Sequence, residues 1–344
     1  MGSGYNRGGT HTHPPVGQGR VALIVAGPTC SGKSALALAL AQRVGGTIIN
    51  ADSMQVYREL RILTARPDPR DEACVPHALY GVLPAAQTGS VAWWREQAMA
   101  CAQAAWDAGR VPVFCGGTGM YFRALTDGLA DIPQPPDAIR AQARAMVEAL
   151  GPQGAHAQLH TLDAQTAATL RPTDGQRIAR ALEVYLATGH GLAWWRREAV
   201  LPALDARFIA VRLHPARADL RAAIAQRFHA MVECGAVAEV AHLLEHNLPA
   251  TLPAMRAHGV PELAAVLRGD MTLADATARA ITLTGQYTKR QATWFAHHAL
   301  AAPADTYVHE KRYENPSGTQ QMERCDNKII SFVINRIDVG QGFP

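Results

Sequence analysis

The six cysteines (Cys30, Cys74, Cys101, Cys115, Cys234 and Cys325) include no C-x-x-C pair, which removes the spacing expected of a zinc site or a redox motif. No export signal accompanies them, so reduced thiols and a cytoplasmic setting are expected. Long apolar runs are also missing, and none approaches the roughly 20 residues of a membrane span. The first twenty residues, rich in Gly, Pro and His, lack the apolar centre of a secretory signal and read as a disordered leader. There is no internal repeat. Charge is modest, with 18% charged residues and a net +4, which permits a nucleic-acid partner without arguing for one.

What is present is concentrated in residues 21–43. Val21 to Ala26 reads as a buried strand, Ser34 to Gln42 as a helix, and between them lies Gly27-Pro28-Thr29-Cys30-Ser31-Gly32-Lys33-Ser34. This is the G-x-x-x-x-G-K-[ST] spacing. Loop amides and the helix N-terminus cradle a di- or triphosphate, the lysine reaches the outer phosphate, and the serine hydroxyl holds Mg²⁺. The motif specifies a polyphosphate without saying which one, ATP included.

At 344 residues the chain has room for an α/β core and a second unit. Thr47 to Ala51 reads as a second strand, completing a β-α-β unit with Asp52 at its end, beside the ligand crevice of an open parallel sheet. Residues 61–90 read as an irregular flap. A helix from Val91 to Ala108 leads to a strand, Val111 to Cys115, and a second glycine-rich turn at 116–119. From 131 to 202 the prolines and short helices indicate an all-helical insertion without strands. Phe208 to Leu213 returns to the sheet, so the core is expected over 21–130 and 203–300. Helices follow at 216–234, 260–268 and 273–297, and 301–344 reads as a polar tail with one apolar run at 329–334.

A P-loop ATPase usually places an acid after an apolar strand to help hold Mg²⁺, but here glycines and Thr118 follow the strand ending at Cys115. Transfer chemistry suits the residues better. It needs a phosphate-bound donor, a carboxylate to take a proton, and arginines to hold the departing anion. Asp52 is placed to be that carboxylate, or to cap the following turn. The Thr118 hydroxyl either donates to a reacting oxygen or caps the next helix. Arg227 borders a buried stripe and must find an anion or remain wet. Arg177 and Arg180 flank the stripe formed by Ile178, Ala181, Leu182 and Tyr185, and either grip RNA phosphates or form a solvated face.

Several ordered motifs resemble the tRNA dimethylallyltransferases, also called tRNA isopentenylpyrophosphate transferases: GPTCSGKS at 27–34, ADSMQVY at 51–57, TARP at 64–67 and GGTGMYFRAL at 116–125. GQRIARALEVYLATG at 175–189, AQRF at 225–228 and TKRQATWF at 288–295 continue the series. The resemblance spans most of residues 21–297. It implies a P-loop NTPase-like α/β core with a helical tRNA-binding insertion. The implied activity, with Mg²⁺ held at Ser34, is transfer of the dimethylallyl group of dimethylallyl diphosphate to N6 of the tRNA adenosine just 3′ of the anticodon, position 37.

By the same resemblance Asp52 is the general base and Thr118 lies beside the reacting centre. Lys33, Ser34 and Arg227 stabilise the leaving diphosphate within the loop 27–34. Asp52, Ser53, Met54 and Gln55 read the flipped base and its neighbour, while Gln176, Arg177, Arg180, Arg256, Lys289 and Arg290 face the anticodon stem-loop. The absence of a C-terminal zinc finger matches the bacterial form, and a monomer is expected.

The chain departs from the family pattern at Arg66, at 76–81, at His258-Gly259-Val260-Pro261 and at Thr284-Gly285-Gln286. The last two departures remove basic groups from the expected tRNA side. Competing readings are a P-loop small-molecule kinase, an adenylate isopentenyltransferase and a non-catalytic RNA-binding P-loop protein. The kinase reading leaves GGTGMYFRAL and the insertion unexplained.

Overall fold

The computed structural model describes residues 19–314 and 320–340, so the leader expected over 1–20 falls outside it except for its last two residues. The chain divides into two compact units, Met1–Thr126 with Leu204–Pro344, and Asp127–Ala203.

Unit 1 begins with β1 (Val21–Ala26), α1 (Lys33–Val44), β2 (Gly46–Asn50), α2 (Pro69–Cys74), β3 (His77–Ala78), α3 (Val91–Asp107), β4 (Val111–Gly116) and α4 (Gly119–Thr126). Unit 2 holds β5 (Leu129–Ala130), α5 (Asp137–Leu162), α6 (Ala164–Ala167), α7 (Gly175–Thr188), α8 (Leu192–Glu198) and β6 (Val200–Leu201). Unit 1 then resumes with β7 (Arg207–Leu213), α9 (Arg217–Glu233), α10 (Ala236–Glu245), α11 (Val260–Leu267), α12 (Leu273–His297), β8 (Thr306–His309) and α13 (Gln320–Gly340).

The sheet of unit 1 has the order β3-β2-β4-β1-β7-β8, and every pairing in it is parallel. β1 lies inside the sheet and is buried along its whole length, which explains its unbroken apolar run. Its residues alternate between two cores. Ala22 and Ile24 join Ile49, Phe114, Trp94, Tyr121 and Phe295 on one face; Leu23 and Val25 join Leu36, Leu40, Ile48, Val113 and Val211 on the other. Because the strands are parallel, β1, β2 and β4 all end on one edge. That edge carries the phosphate loop, Asp52 and the 116–119 turn. β1 and β2 are separated by β4, so the chain reverses its direction of travel here, the usual place for a ligand crevice.

The segment after residue 300, read as a tail, instead contributes β8, which extends the sheet through Ala210↔Thr306 to Leu213↔His309. The apolar run at 329–334 lies in α13, where Ile329 and Val333 are buried against the second core face. Arg207 fixes this end further by a paired contact to Asp305 (Nη2 to Oδ1, 2.6 Å).

Unit 2 is built on α5 and α7, with Ala143, Leu159, Ile178, Ala181, Leu182 and Leu192 buried between its helices. The expectation of an all-helical insertion is corrected by β5 and β6, an antiparallel pair joining the two ends of the unit. Two residues per strand are too few for an alternating pattern to show in the sequence. Among the described residues no helix is long and apolar enough to cross a membrane.

Candidate active site

The turn carrying Asp52 is built by its neighbour Asn50, which is fully buried. The Asn50 side chain accepts from the Asp52 N–H at 2.8 Å and donates to the carbonyls of Asp52 and Leu79, both at 3.0 Å. Asp52 Oδ1 then accepts from the Met54 N–H at 3.0 Å. One carboxylate oxygen therefore fixes the turn, and the other has no hydrogen bond among the described residues. Gly116 lets the ends of β2 and β4 close together, since a Cβ there would lie 2.1 Å from the Ala51 carbonyl carbon.

The Thr118 hydroxyl does not cap α4. It accepts from the Ser53 N–H at 2.9 Å and donates to Ser53 Oγ at 3.3 Å, so it ties the Asp52 turn to the turn that follows β4.

Two cavities open on this edge. The first, about 450 Å³, is lined by Thr29, Cys30, Gly32, Lys33 and Ser34 of the loop, with Asp52, Gln55, Thr64, Arg227 and Arg312. The second, about 360 Å³, is lined by Leu63, Ile224, Phe228 and Met231, with Ser53, Met54, Arg256, His258, Tyr287 and Arg290. Thr29, Asp52, Thr64 and Arg227 line both. A cationic, polar chamber thus meets an apolar and aromatic one across a carboxylate and a guanidinium. Neither Lys33 nor Arg227 has an ion-pair partner among the described residues.

Not every expected residue reaches these cavities. Gly27, Pro28 and Ser31 support the loop from behind, and the Ser31 side chain is fully buried. Gln55 spends its amide hydrogens on the carbonyls of Thr64 and Ala65 (2.9 and 2.8 Å), pinning the TARP loop as a wall of the first cavity. Lys289 lines a separate groove with Arg217 and Arg221, whereas Arg256 and Arg290 line the second cavity. In unit 2 the Arg177 side chain is 76% exposed and faces Asp174 at 3.4 Å; Arg180 is 43% exposed and pairs with Glu183 at 3.2 Å. The solvated Arg177–Asp174 pair costs little to exchange for another anion, whereas Glu183 is buried and holds Arg180 more firmly.

Residues missed from the sequence complete the site. Gln291, buried on α12, accepts from the Thr29 N–H and donates to the Gly117 carbonyl, both at 2.9 Å, bridging the two glycine-rich turns. Glu239 on α10 accepts the N–H groups of Arg61, Ile62 and Leu63 at 2.7 to 3.0 Å and so holds the loop before TARP. Tyr287 stands over His258, with ring centroids 5.1 Å apart, and Arg290 lies 5.5 Å from its ring centre. Thr277, Thr284, Thr288 and Gln291 form a buried polar face along α12, which their polar composition conceals in the sequence.

Burial, and then Asp52, push the Tyr287 phenol up to about 12, so it remains a proton donor. Burial, followed by Arg290, lowers His258, which favours the neutral imidazole. At the end of β4, where an acidic metal ligand would sit, Cys115 contacts the Ser34 side chain, and burial raises its thiol to about 11. Both Cys115 and Tyr287 hold their protons more tightly when folded than when unfolded. Their stabilising contribution is therefore complete below the unfolded values and is lost as pH rises through 11 and 12. Melting temperatures are expected to fall from about pH 8 to about pH 11, across the ordinary thiol and phenol range. A flat profile would contradict the assigned burial.

A parallel sheet with its phosphate loop on an internal strand, an acid at the end of the next strand in sequence and no acid after β4 defines a P-loop enzyme arranged for group transfer rather than nucleotide hydrolysis. The sequence matches the model of the IPP transferase family over residues 55–298 and that of isopentenyl transferase over residues 19–73. It is 62% identical to the tRNA dimethylallyltransferase of Gluconacetobacter diazotrophicus over 94% of this chain and 97% of that one. Against the tRNA dimethylallyltransferase of Gluconobacter oxydans the identity is 57%, over 93% and 96% of the two chains. The solved tRNA isopentenylpyrophosphate transferase of Bacillus halodurans superposes with a TM-score of 0.65 at 27% identity, covering 94% of this chain and 98% of that one. The chain belongs to the IPP transferase family, that of the tRNA dimethylallyltransferases.

Proposed function

We propose that this protein transfers the dimethylallyl group of dimethylallyl diphosphate to N6 of the adenosine just 3′ of the anticodon, position 37 of the tRNA, releasing diphosphate. The observation carrying this reading is the meeting of the two cavities at Asp52 and Arg227. The phosphate-loop chamber suits the diphosphate, and the chamber of Leu63, Phe228, Met231 and Tyr287 suits an allyl chain and a planar base. Asp52, through its free oxygen, takes the proton from the N6 amine as the N6–C1 bond forms and the C1–O bond to diphosphate breaks. Lys33 and Arg227 receive the charge that develops on the leaving oxygen, where preorganised cations act most strongly. The apolar wall excludes water from the allylic cation.

Mg²⁺ fits the donor set. The Ser34 hydroxyl faces the diphosphate chamber, and among the described residues no cluster of three His, Cys, Asp or Glu side chains forms a self-sufficient metal cage. A hard cation that keeps waters and diphosphate oxygens as ligands suits such a site, and when bound it supplies further positive charge to the diphosphate. For the RNA we assign Ser53, Met54, Arg256 and Arg290 to the base and its neighbours, and Gln176, Arg177 and Arg180 of unit 2 to the backbone. The protein is expected to act as a cytoplasmic monomer.

The test is transfer of label from dimethylallyl diphosphate, marked in its allyl group, to an unmodified tRNA anticodon stem-loop in the presence of Mg²⁺. Label in the RNA with equal release of diphosphate is the expected result. No label in the RNA, with consumption of ATP in a parallel sample to which ATP is added, would favour a kinase instead.

A further inference from the structure

The segment after β8 returns to the phosphate loop. The Tyr313 N–H donates to the Ser31 carbonyl at 2.9 Å, and Arg312 Nε donates to the Cys30 carbonyl at 3.1 Å. The Tyr313 carbonyl is seated against Gly32, so closely that a Cβ on Gly32 would lie 1.9 Å from it. Gly32 has φ +89°, so glycine is required there for both conformation and space. Tyr313 is buried, and this strap lies beyond the residues matched by either family model.

We propose that Arg312 is a donor-binding residue, a third cation that holds the diphosphate together with Lys33 and Arg227. The inference rests on the reading of the phosphate-loop chamber as the diphosphate site. Arg312 lines that chamber with the other two. Its Nε is anchored to the loop, and Nη1 pairs with Glu314 Oε1 at 2.6 Å. The remaining N–H groups of the guanidinium fork are available to an anion. Glu314 is 54% exposed, so its pairing with Arg312 is weak in water and is readily exchanged for diphosphate oxygens. Anchoring at Nε and at Tyr313 holds the guanidinium at the chamber before the donor arrives, which lowers the ordering cost of binding.

The test is isothermal titration of the full chain with inorganic pyrophosphate and Mg²⁺, alongside KM for dimethylallyl diphosphate and for tRNA. Arg312→Ala is expected to weaken pyrophosphate binding about 10- to 100-fold, the scale of a lost charge-assisted contact. KM for the donor should rise with it, while KM for tRNA stays within about twofold. Arg312→Lys should recover part of the loss, since it restores charge without the fork. Glu314→Gln should tighten binding by releasing the guanidinium, whereas a purely structural strap would show no gain. Equal pyrophosphate affinity in wild type and Arg312→Ala would overturn the inference. Absence of binding by the wild type would instead remove the donor-site reading, and this inference with it.

Discussion

Asp52→Asn is expected to lower the single-turnover rate of transfer by roughly 10³-fold, within the range for loss of a positioned general base. Asparagine retains a side-chain oxygen for the Met54 N–H and leaves the Asn50 contacts intact, so the turn should keep its shape. What it loses is the ability of the free oxygen to accept the N6 proton. Pyrophosphate affinity should change little, because the loop, Lys33 and Arg227 remain. A rate within a few-fold of wild type, measured by rapid quench, would assign proton removal to another group.

Arg227→Ala should reduce the transfer rate by about 10²- to 10³-fold, the usual cost of removing one preorganised charge from a developing anion. α9 carries Arg227 beside the buried Ile224 and Phe228, which packs its stem and leaves the guanidinium facing both chambers. The side chain has no ion-pair partner among the described residues, so its removal strands no carboxylate and stability should be nearly unchanged. The loss should fall mainly on kcat, since charge on the leaving oxygen grows toward the transition state. A variant that raises KM for the donor with kcat intact would show Arg227 to be a ground-state binding group instead.

The parallel sheet, the phosphate loop and Asp52 were legible in the sequence because their signals are local. An apolar strand, a glycine loop and an amphipathic helix each occupy a dozen residues or fewer. The contributions from the end of the chain were not legible. β8 is four residues long and none of its side chains is fully buried, so it lacks a strand's apolar pattern. Arg312 and Tyr313 reach the loop across 282 residues, a distance that no periodicity reports. Tyr287 and Gln291 were concealed differently. They lie in a polar stretch of α12 whose composition suggests exposure, yet Gln291 is buried because its amide satisfies two backbone groups of the glycine turns. Gln55 shows the converse, an expected reader of the base whose N–H groups are committed to the TARP loop.

The central claim is that a prenyl group passes from the diphosphate chamber to an adenine amine across Asp52. It is tested most directly by mass spectrometry of nucleosides from a tRNA carrying adenosines at positions 36 and 37, after incubation with the protein, Mg²⁺ and dimethylallyl diphosphate. Wild type is expected to give N6-(dimethylallyl)adenosine at position 37, with only a trace from Asp52→Asn in the same time. If wild type binds the tRNA and the donor yet yields no N6-modified adenosine, the catalytic reading of this site is wrong.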